Sequence, residues 1–218
     1  MTVLQDKVLR PRTVGRLSIY RRVLNQLLEN GSVHIFSRDL AKMAGVSASQ
    51  VRQDLMNVPA CGTPQNGYSA IELLLSVNRC LGLTSRSNTV LLGAGHLGQA
   101  ILHHFQTTQP NLDLKAIFDV DRALVGKQPN NVPVLPVSEL EKVIRSTESK
   151  VAILAVPPQV AQQLAEQLVS CGICSILNFT PIRLQLPAGV YVEDNDIQTS
   201  LERVSYYANA HMENEAEA

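Results

Sequence analysis

Residues 89–98 read Thr89-Val90-Leu91-Leu92-Gly93-Ala94-Gly95-His96-Leu97-Gly98. A strand-forming run enters a Gly-x-Gly-x-x-Gly turn, and a helical pattern over 97–107 leaves it. The glycines alone are a weak signal, but their context is a strong one. A second apolar run, 112–118, ends in Asp119, 21 residues beyond Gly98. Strand, glycine turn, helix, strand and terminal acid are the order a dinucleotide-binding unit requires. Gly93 suits the tight turn, Gly95 lets backbone approach a pyrophosphate, and Gly98 lets helix pack on strand. Ala94, His96 and Leu97 complete a helix N-terminus whose N–H groups and dipole favour phosphate. Asp119 would accept hydrogen bonds from ribose hydroxyls and repel a 2′-phosphate, which favours NAD(H) over NADP(H).

Toward the C-terminus the alternation continues. The pattern predicts a helix over 138–146, a strand over 151–156, a helix over 158–170 and a strand over 175–178. A last strand follows near 190–192, then a helix over about 196–210 and an acidic tail. Short apolar runs separated by helices indicate a parallel sheet covered on both faces. Ligands of such sheets bind beyond the carboxyl ends of the strands, so Val156-Pro157 and Asn178-Phe179-Thr180 join the candidate crevice. Phe179 reads either as a flat contact for a nicotinamide ring or as ordinary core.

Toward the N-terminus the periodicity predicts helices over 14–30, 38–44 (capped by Ser37), 47–57 (Ser47 cap, Gln50 completing a capping box) and 71–81. The second and third form a helix-turn-helix. Its recognition helix would present Ser47, Ser49, Gln50, Arg52 and Gln53 to a major groove. Arg12 and Arg16, with Arg10, Arg21 and Arg22, would hold phosphates. Residues 58–68 are turn-rich and stand where a β-wing would follow. The competing reading is a dimerising helical bundle with solvated arginines. Charge favours DNA: residues 1–86 carry eleven Lys and Arg against five Asp and Glu, while residues 87–218 hold a net −6. The polar stretch 84–88 reads as the linker.

No run approaches the ~18 apolar residues of a membrane span, and the N-terminus lacks a signal-peptide core, so a cytoplasmic protein with no membrane partner is expected. Cys171-Gly172-Ile173-Cys174 could be a redox pair, half a metal site or two buried structural cysteines. Structural burial is favoured, and no metal site is assigned. A dehydrogenase would need a catalytic domain, yet only one helix follows residue 195, so no catalytic residues are expected. A module for another adenine cofactor, such as coenzyme A, is the alternative, because Asp119 suits any ribose with free hydroxyls.

These features together resemble the Rex family of redox-sensing transcriptional repressors. The likeness is carried by Arg16-Leu17 and Tyr20, Gln50-Val51-Arg52 with Asp54-Leu55, Gly67-Tyr68, the motif 93–98, Phe118-Asp119-Val120-Asp121, Val125-Gly126, Val156-Pro157, the run 176–181 and Glu193-Asp194-Asn195-Asp196. It implies an α/β protein of three parts: a winged helix-turn-helix domain over 1–86, a Rossmann-type parallel-sheet domain over 87–195, and a domain-swapped helix with the tail over 196–218. It further implies a homodimer that binds double-stranded operator DNA and senses NADH/NAD⁺, with NADH causing release. By resemblance Asp196 is a switch residue with Arg22 as a partner, and Val120, Asp121 and His104 border the cofactor. The chain departs from the pattern in the wing, where Asn57-Val58-Pro59-Ala60-Cys61 and Thr63-Pro64-Gln65 replace the usual aromatic, glycine-rich and basic stretch, at Gln53, where a basic residue is usual, at His104, where tyrosine is common, and at Ile197, where phenylalanine is common.

Overall fold

Pro11 opens the first helix of the computed structural model, which describes residues 8–59, 62–63, 67–108 and 111–216. Proline is at ease there, because a first-turn N–H has no helical acceptor to lose. The chain forms two units, Met1–Ser85 and Arg86–Ala218, each with its own core.

In the first unit α1 (Pro11–Glu29) buries Leu17, Tyr20, Val23 and Leu24. Gly31, at φ 78°, ends it. A short strand, β1 (His34–Ile35), leads into α2 (Ser37–Ala44). The expected Ser37 cap is corrected here: Phe36 is the cap residue and makes no side-chain bond, while Ser37 is the first helical residue and is buried. Gly45 takes the left-handed conformation, φ 69°, and turns the chain into α3 (Ala48–Leu55). Ser47 does cap α3, accepting from Gln50 N at 3.1 Å. The expected return bond from the Gln50 side chain is not made, because that amide turns to Asp54 instead. Two strands follow, β2 (Gly62–Thr63) and β3 (Gly67–Ser69), and with β1 they form an antiparallel sheet of order β1-β3-β2. This is the wing. Ala60, Cys61, Pro64 and Gln65 lie outside the described residues. Ser69 caps α4 (Ala70–Cys80), whose Leu73 and Val77 close the core beneath α1.

The second unit is a six-stranded, wholly parallel sheet. Its strands are β4 (Ser87–Leu92), β5 (Leu112–Asp119), β6 (Val134–Pro136), β7 (Val151–Leu154), β8 (Ser175–Asn178) and β9 (Tyr191–Asp194), in the order β6-β5-β4-β7-β8-β9. The order reverses between β4 and β7, which makes the crevice above them the switch point. On one face α6 (Leu140–Thr147) and α7 (Pro158–Ser170) cover a core of Val90, Phe118, Ala152, Leu154 and Ile176. On the other face α5 (His96–Thr108) is packed on Leu91, Ile117 and Ile153. Leu177 and Phe179 at the β8 end of that face are partly buried. The last helix, α8 (Ile197–Ala216), carries Leu201, Val204, Tyr206 and Tyr207 exposed. It runs through the acidic tail expected to leave it, since Glu213 and Glu215 remain good helix formers. Of the two adjacent cysteines only Cys171 is buried; Cys174 is exposed, so burial of both is corrected to burial of one. Among the described residues no helix is long and apolar enough to cross a membrane.

Candidate nucleotide crevice and nucleic-acid interface

The glycine turn is built from backbone contacts that leave no room for side chains. A Cβ on Gly93, held at φ 99°, would stand 2.1 Å from the Ala155 carbonyl oxygen, and one on Gly98 2.0 Å from the Gly93 oxygen. Both glycines are therefore demanded by the fold. Gly95 is different: a Cβ there meets nothing within 4 Å. The protein itself does not need glycine at 95, and what its bare backbone offers is space for a ligand. The first helical bond of α5 runs from Gln99 N to Gly95 O at 2.9 Å, so the preceding N–H groups lie at the open helix end. His96 is exposed beside them and Leu97 is half-buried.

Asp119 ends β5 at the centre of this arrangement. Its Oδ2 accepts from Ala94 N at 2.6 Å, and its Oδ1 accepts from Asp121 N at 2.8 Å. The carboxylate thus braces the glycine turn and keeps lone pairs for sugar hydroxyls. A cavity of about 360 Å³ opens beside it, lined by Val120, Arg122, Val125 and residues 136–138. Pro136, Val137 and Ser138 join this cavity only in the folded chain, because β6 and the short turn after it bring them beside the end of β5. A larger cavity of about 580 Å³, between α5 and residues 124–130, reaches Ala94 and Gly98 and carries Gln99, Lys127, Gln128 and Asn130 among mainly apolar walls. The donors, the bare backbone at 95 and the acid at 119 fit a dinucleotide with a free adenosine ribose. Changing Asp119→Ala is expected to weaken NADH binding by roughly 10- to 100-fold, as loss of a charge-assisted pair implies. It should also narrow the gap between NADH and NADPH; titration of both by nucleotide fluorescence checks this, and an unchanged ratio would count against the role.

Val156 sits half-buried at the β7 end, with Cγ1 3.5 Å from the position a Gly93 Cβ would take. Pro157 is exposed at the start of α7. Asn178 and Thr180, expected in the crevice, are corrected to supports of it. Asn178 is fully buried; its amide donates to Ile182 O at 2.9 Å and Asp194 Oδ1 at 2.8 Å, and its oxygen accepts from Thr180 N and Oγ1. Every polar position it has is used inside the protein, and Thr180 is buried with it. Phe179, between them, is partly buried on the α5 face and packs against its core. His104 is exposed on α5 and Asp121 just beyond β5. Asp196 accepts from Thr199 N and Oγ1 at the start of α8, and those bonds hold its carboxyl below the usual range. Arg22 is exposed on α1.

In the first unit Arg10, Arg12, Gln50, Gln53 and Asn57 line a cleft of about 820 Å³ between the start of α1 and the face of α3. Ser47, Ser49 and Arg52 are exposed on the same helix or at its cap. Cations beside short polar groups on a helix of a helix-turn-helix suit a DNA duplex. Arg16 was expected to reach phosphate, but it is committed elsewhere. Its Nε and a terminal nitrogen donate to both oxygens of Asp54 at 2.6 and 2.7 Å, and the Tyr20 hydroxyl donates to Asp54 Oδ2 at 2.9 Å. Burial disfavours the Asp54 anion, but the Arg16 and Tyr20 bonds outweigh it and hold the carboxyl below its usual range. Burial, then the bond to Asp54, pushes the Tyr20 phenol up. Arg21 likewise turns to Asn78 on α4, at 3.1 Å. The signal for Asp54 was legible: with Val51, Leu55 and Val58 it falls on the apolar stripe, and a buried acid needs a cation.

A winged helix joined to a dinucleotide-type sheet defines the class: a DNA-binding regulator that answers to a nucleotide. Residues 84–182 match the CoA binding domain family model, and residues 11–55 match that of a putative DNA-binding protein N-terminus. The redox-sensing transcriptional repressor Rex of Caldanaerobacter subterraneus subsp. tengcongensis is 39% identical over 196 residues, covering 90% of this chain and 88% of that protein. The crystal structure of RSP in complex with beta-NADH superposes with a TM-score of 0.84 at 36% identity, over 98% of this chain and all of the other. RSP in complex with beta-NAD⁺ and operator DNA gives 0.88 at the same identity, over 97% of each chain. The chain belongs to the Rex family of redox-sensing transcriptional repressors.

Proposed function

We propose that this protein is a cytoplasmic, homodimeric repressor that holds operator DNA through α3 and the wing and lets go when NADH fills the crevice above Gly93–Gly98. The observation that carries this reading is the brace between Asp119 and Ala94 N, with the bare backbone at Gly95 beside it. A reduced and an oxidised nicotinamide differ in charge and shape only at the ring. Selectivity therefore belongs at the β7 and β8 ends, where Val156, Pro157 and Phe179 stand. Release needs NADH to favour an arrangement that does not grip DNA; a ligand that binds both arrangements equally would shift nothing. Binding and release of this kind involve no turnover, and the family is one of regulators.

Pairing of two chains is supported by α8. Ile197, Leu201 and Val204 recur at i, i+4 and i+7 and are each more than half exposed, while Leu177 and Phe179 on the sheet are only partly buried. Exchange of α8 between protomers would cover such a face, and Arg22 and Asp196 are the pair we assign to relaying the change. Leu201→Glu is expected to convert the dimer into a monomer in light scattering after gel filtration, and to weaken binding of a two-fold operator at least about tenfold. A dimer of unchanged mass would remove α8 from the interface. Titration with NADH, NAD⁺, NADPH and coenzyme A tests the ligand. NADH binding tightest supports the reading, and coenzyme A binding tightest overturns it.

A further inference from the structure

Gln50 stands in the first turn of α3 and lines the cleft beside Arg10 and Arg12. A glutamine free to turn reads adenine with both arms, its NH₂ to N7 and its oxygen from the N6 amino group. Here one of the two amide N–H groups is taken. Gln50 Nε2 donates to Asp54 Oδ1 at 3.0 Å. An ionised carboxylate has no proton to give, so the amide nitrogen, not the oxygen, must face it. Asp54 cannot follow Gln50 outward: its side chain is 3% exposed, and its two oxygens are also clamped by Arg16 and Tyr20.

We propose that Asp54 is a positioning residue for sequence recognition: it holds one of the two Gln50 amide N–H groups inward, so that Gln50 reads the groove with its carbonyl oxygen. That oxygen reads a base amino group, adenine N6 or cytosine N4, and is indifferent to the purine N7. The inference rests on the reading of α3 as the recognition helix.

The test uses the full chain and duplexes enriched by it from a randomised pool. Parallel enrichment with Gln50→Ala identifies the base pair whose preference Gln50 sets. In the enriched duplex, replacing the amino-bearing base there by its analogue without the amino group is expected to weaken binding about tenfold or more. Where that base is adenine, 7-deazaadenine should change affinity less than about twofold. In Asp54→Asn, checked for folding by its melting curve, Gln50 is free to turn and sensitivity to N7 should appear. About tenfold weakening by 7-deazaadenine in the wild type would overturn the proposal, as would a Gln50→Ala variant with unaltered preference at every position. Failure to enrich any sequence would instead overturn the recognition reading itself. If the Asp54→Asn variant does not fold, the base analogues on the wild type still decide.

Discussion

Asp54→Ala is expected to destabilise the Met1–Ser85 unit by about 2–4 kcal/mol and to abolish DNA binding. The change leaves the Tyr20 hydroxyl, which is fully buried, without its acceptor and leaves Arg16 without its counter-ion. Breaking a buried ion pair from one side costs about 3–5 kcal/mol. The Arg16 side chain is 22% exposed and keeps some hydration, which lowers that range by about 1 kcal/mol. For a unit of this size each kcal/mol moves the midpoint by about 4–8 °C, and the melting transition of this unit in the full chain should drop by roughly 10–25 °C. The same network sets an acid limit. The folded state holds the Asp54 carboxyl below its ordinary value near 4, so the unfolded chain takes up the proton first. This stabilisation is complete above about pH 5 and is lost as pH falls below about 4. Asp54→Asn should lack that part of the acid slope. A melting midpoint for Asp54→Ala within about 2 °C of wild type, or equal acid slopes, would show that the cluster contributes little.

Gly98→Ala is expected to abolish response to NADH, with affinity down by more than about 100-fold, because its Cβ would fall 2.0 Å from the Gly93 oxygen. Helix α5 must retreat from β4, and overpacking of this kind costs about 1–3 kcal/mol or more. Gly95→Ala separates fold from ligand. Its Cβ meets open space, so stability should stay within about 0.5 kcal/mol of wild type. NADH affinity should still fall about tenfold or more, because the methyl group occupies the approach to the pyrophosphate. Calorimetric melting and NADH titration of both variants distinguish the two cases. A Gly95→Ala variant that binds NADH normally would mean the phosphates pass elsewhere.

The parallel sheet was legible because each of its central strands is a short apolar run bounded by a turn, and the glycine spacing locates the crevice without any tertiary information. What escaped has physical reasons. The edge strand β6 is three residues long and framed by Pro133 and Pro136, too short to show a period. Asn178 reads as a crevice residue because it ends a strand; only the folded chain shows Ile182 O, Asp194 and Thr180 consuming its polar groups. Arg16 carries the same charge as Arg12 and cannot be told from it in sequence. The difference is that Arg16 projects from α1 onto Asp54, thirty-eight positions away. Ser37 and Ser47 both precede helical patterns, yet only Ser47 has an extended backbone with its oxygen toward the helix. The exposed stripe of α8 is apolar by sequence, and its lack of cover within one chain is a fact of the fold alone.

Reduction of the bound nicotinamide, by two electrons and a proton, decides whether duplex DNA is held. Fluorescence anisotropy of a labelled duplex, enriched by the NAD⁺-loaded full chain, measures this directly. Saturating NADH should return the duplex to its free anisotropy and raise the apparent Kd at least about tenfold, within the usual range of coupling between sites, while NAD⁺ leaves it bound. Equal affinity with either form of the coenzyme would mean that the two sites are not coupled.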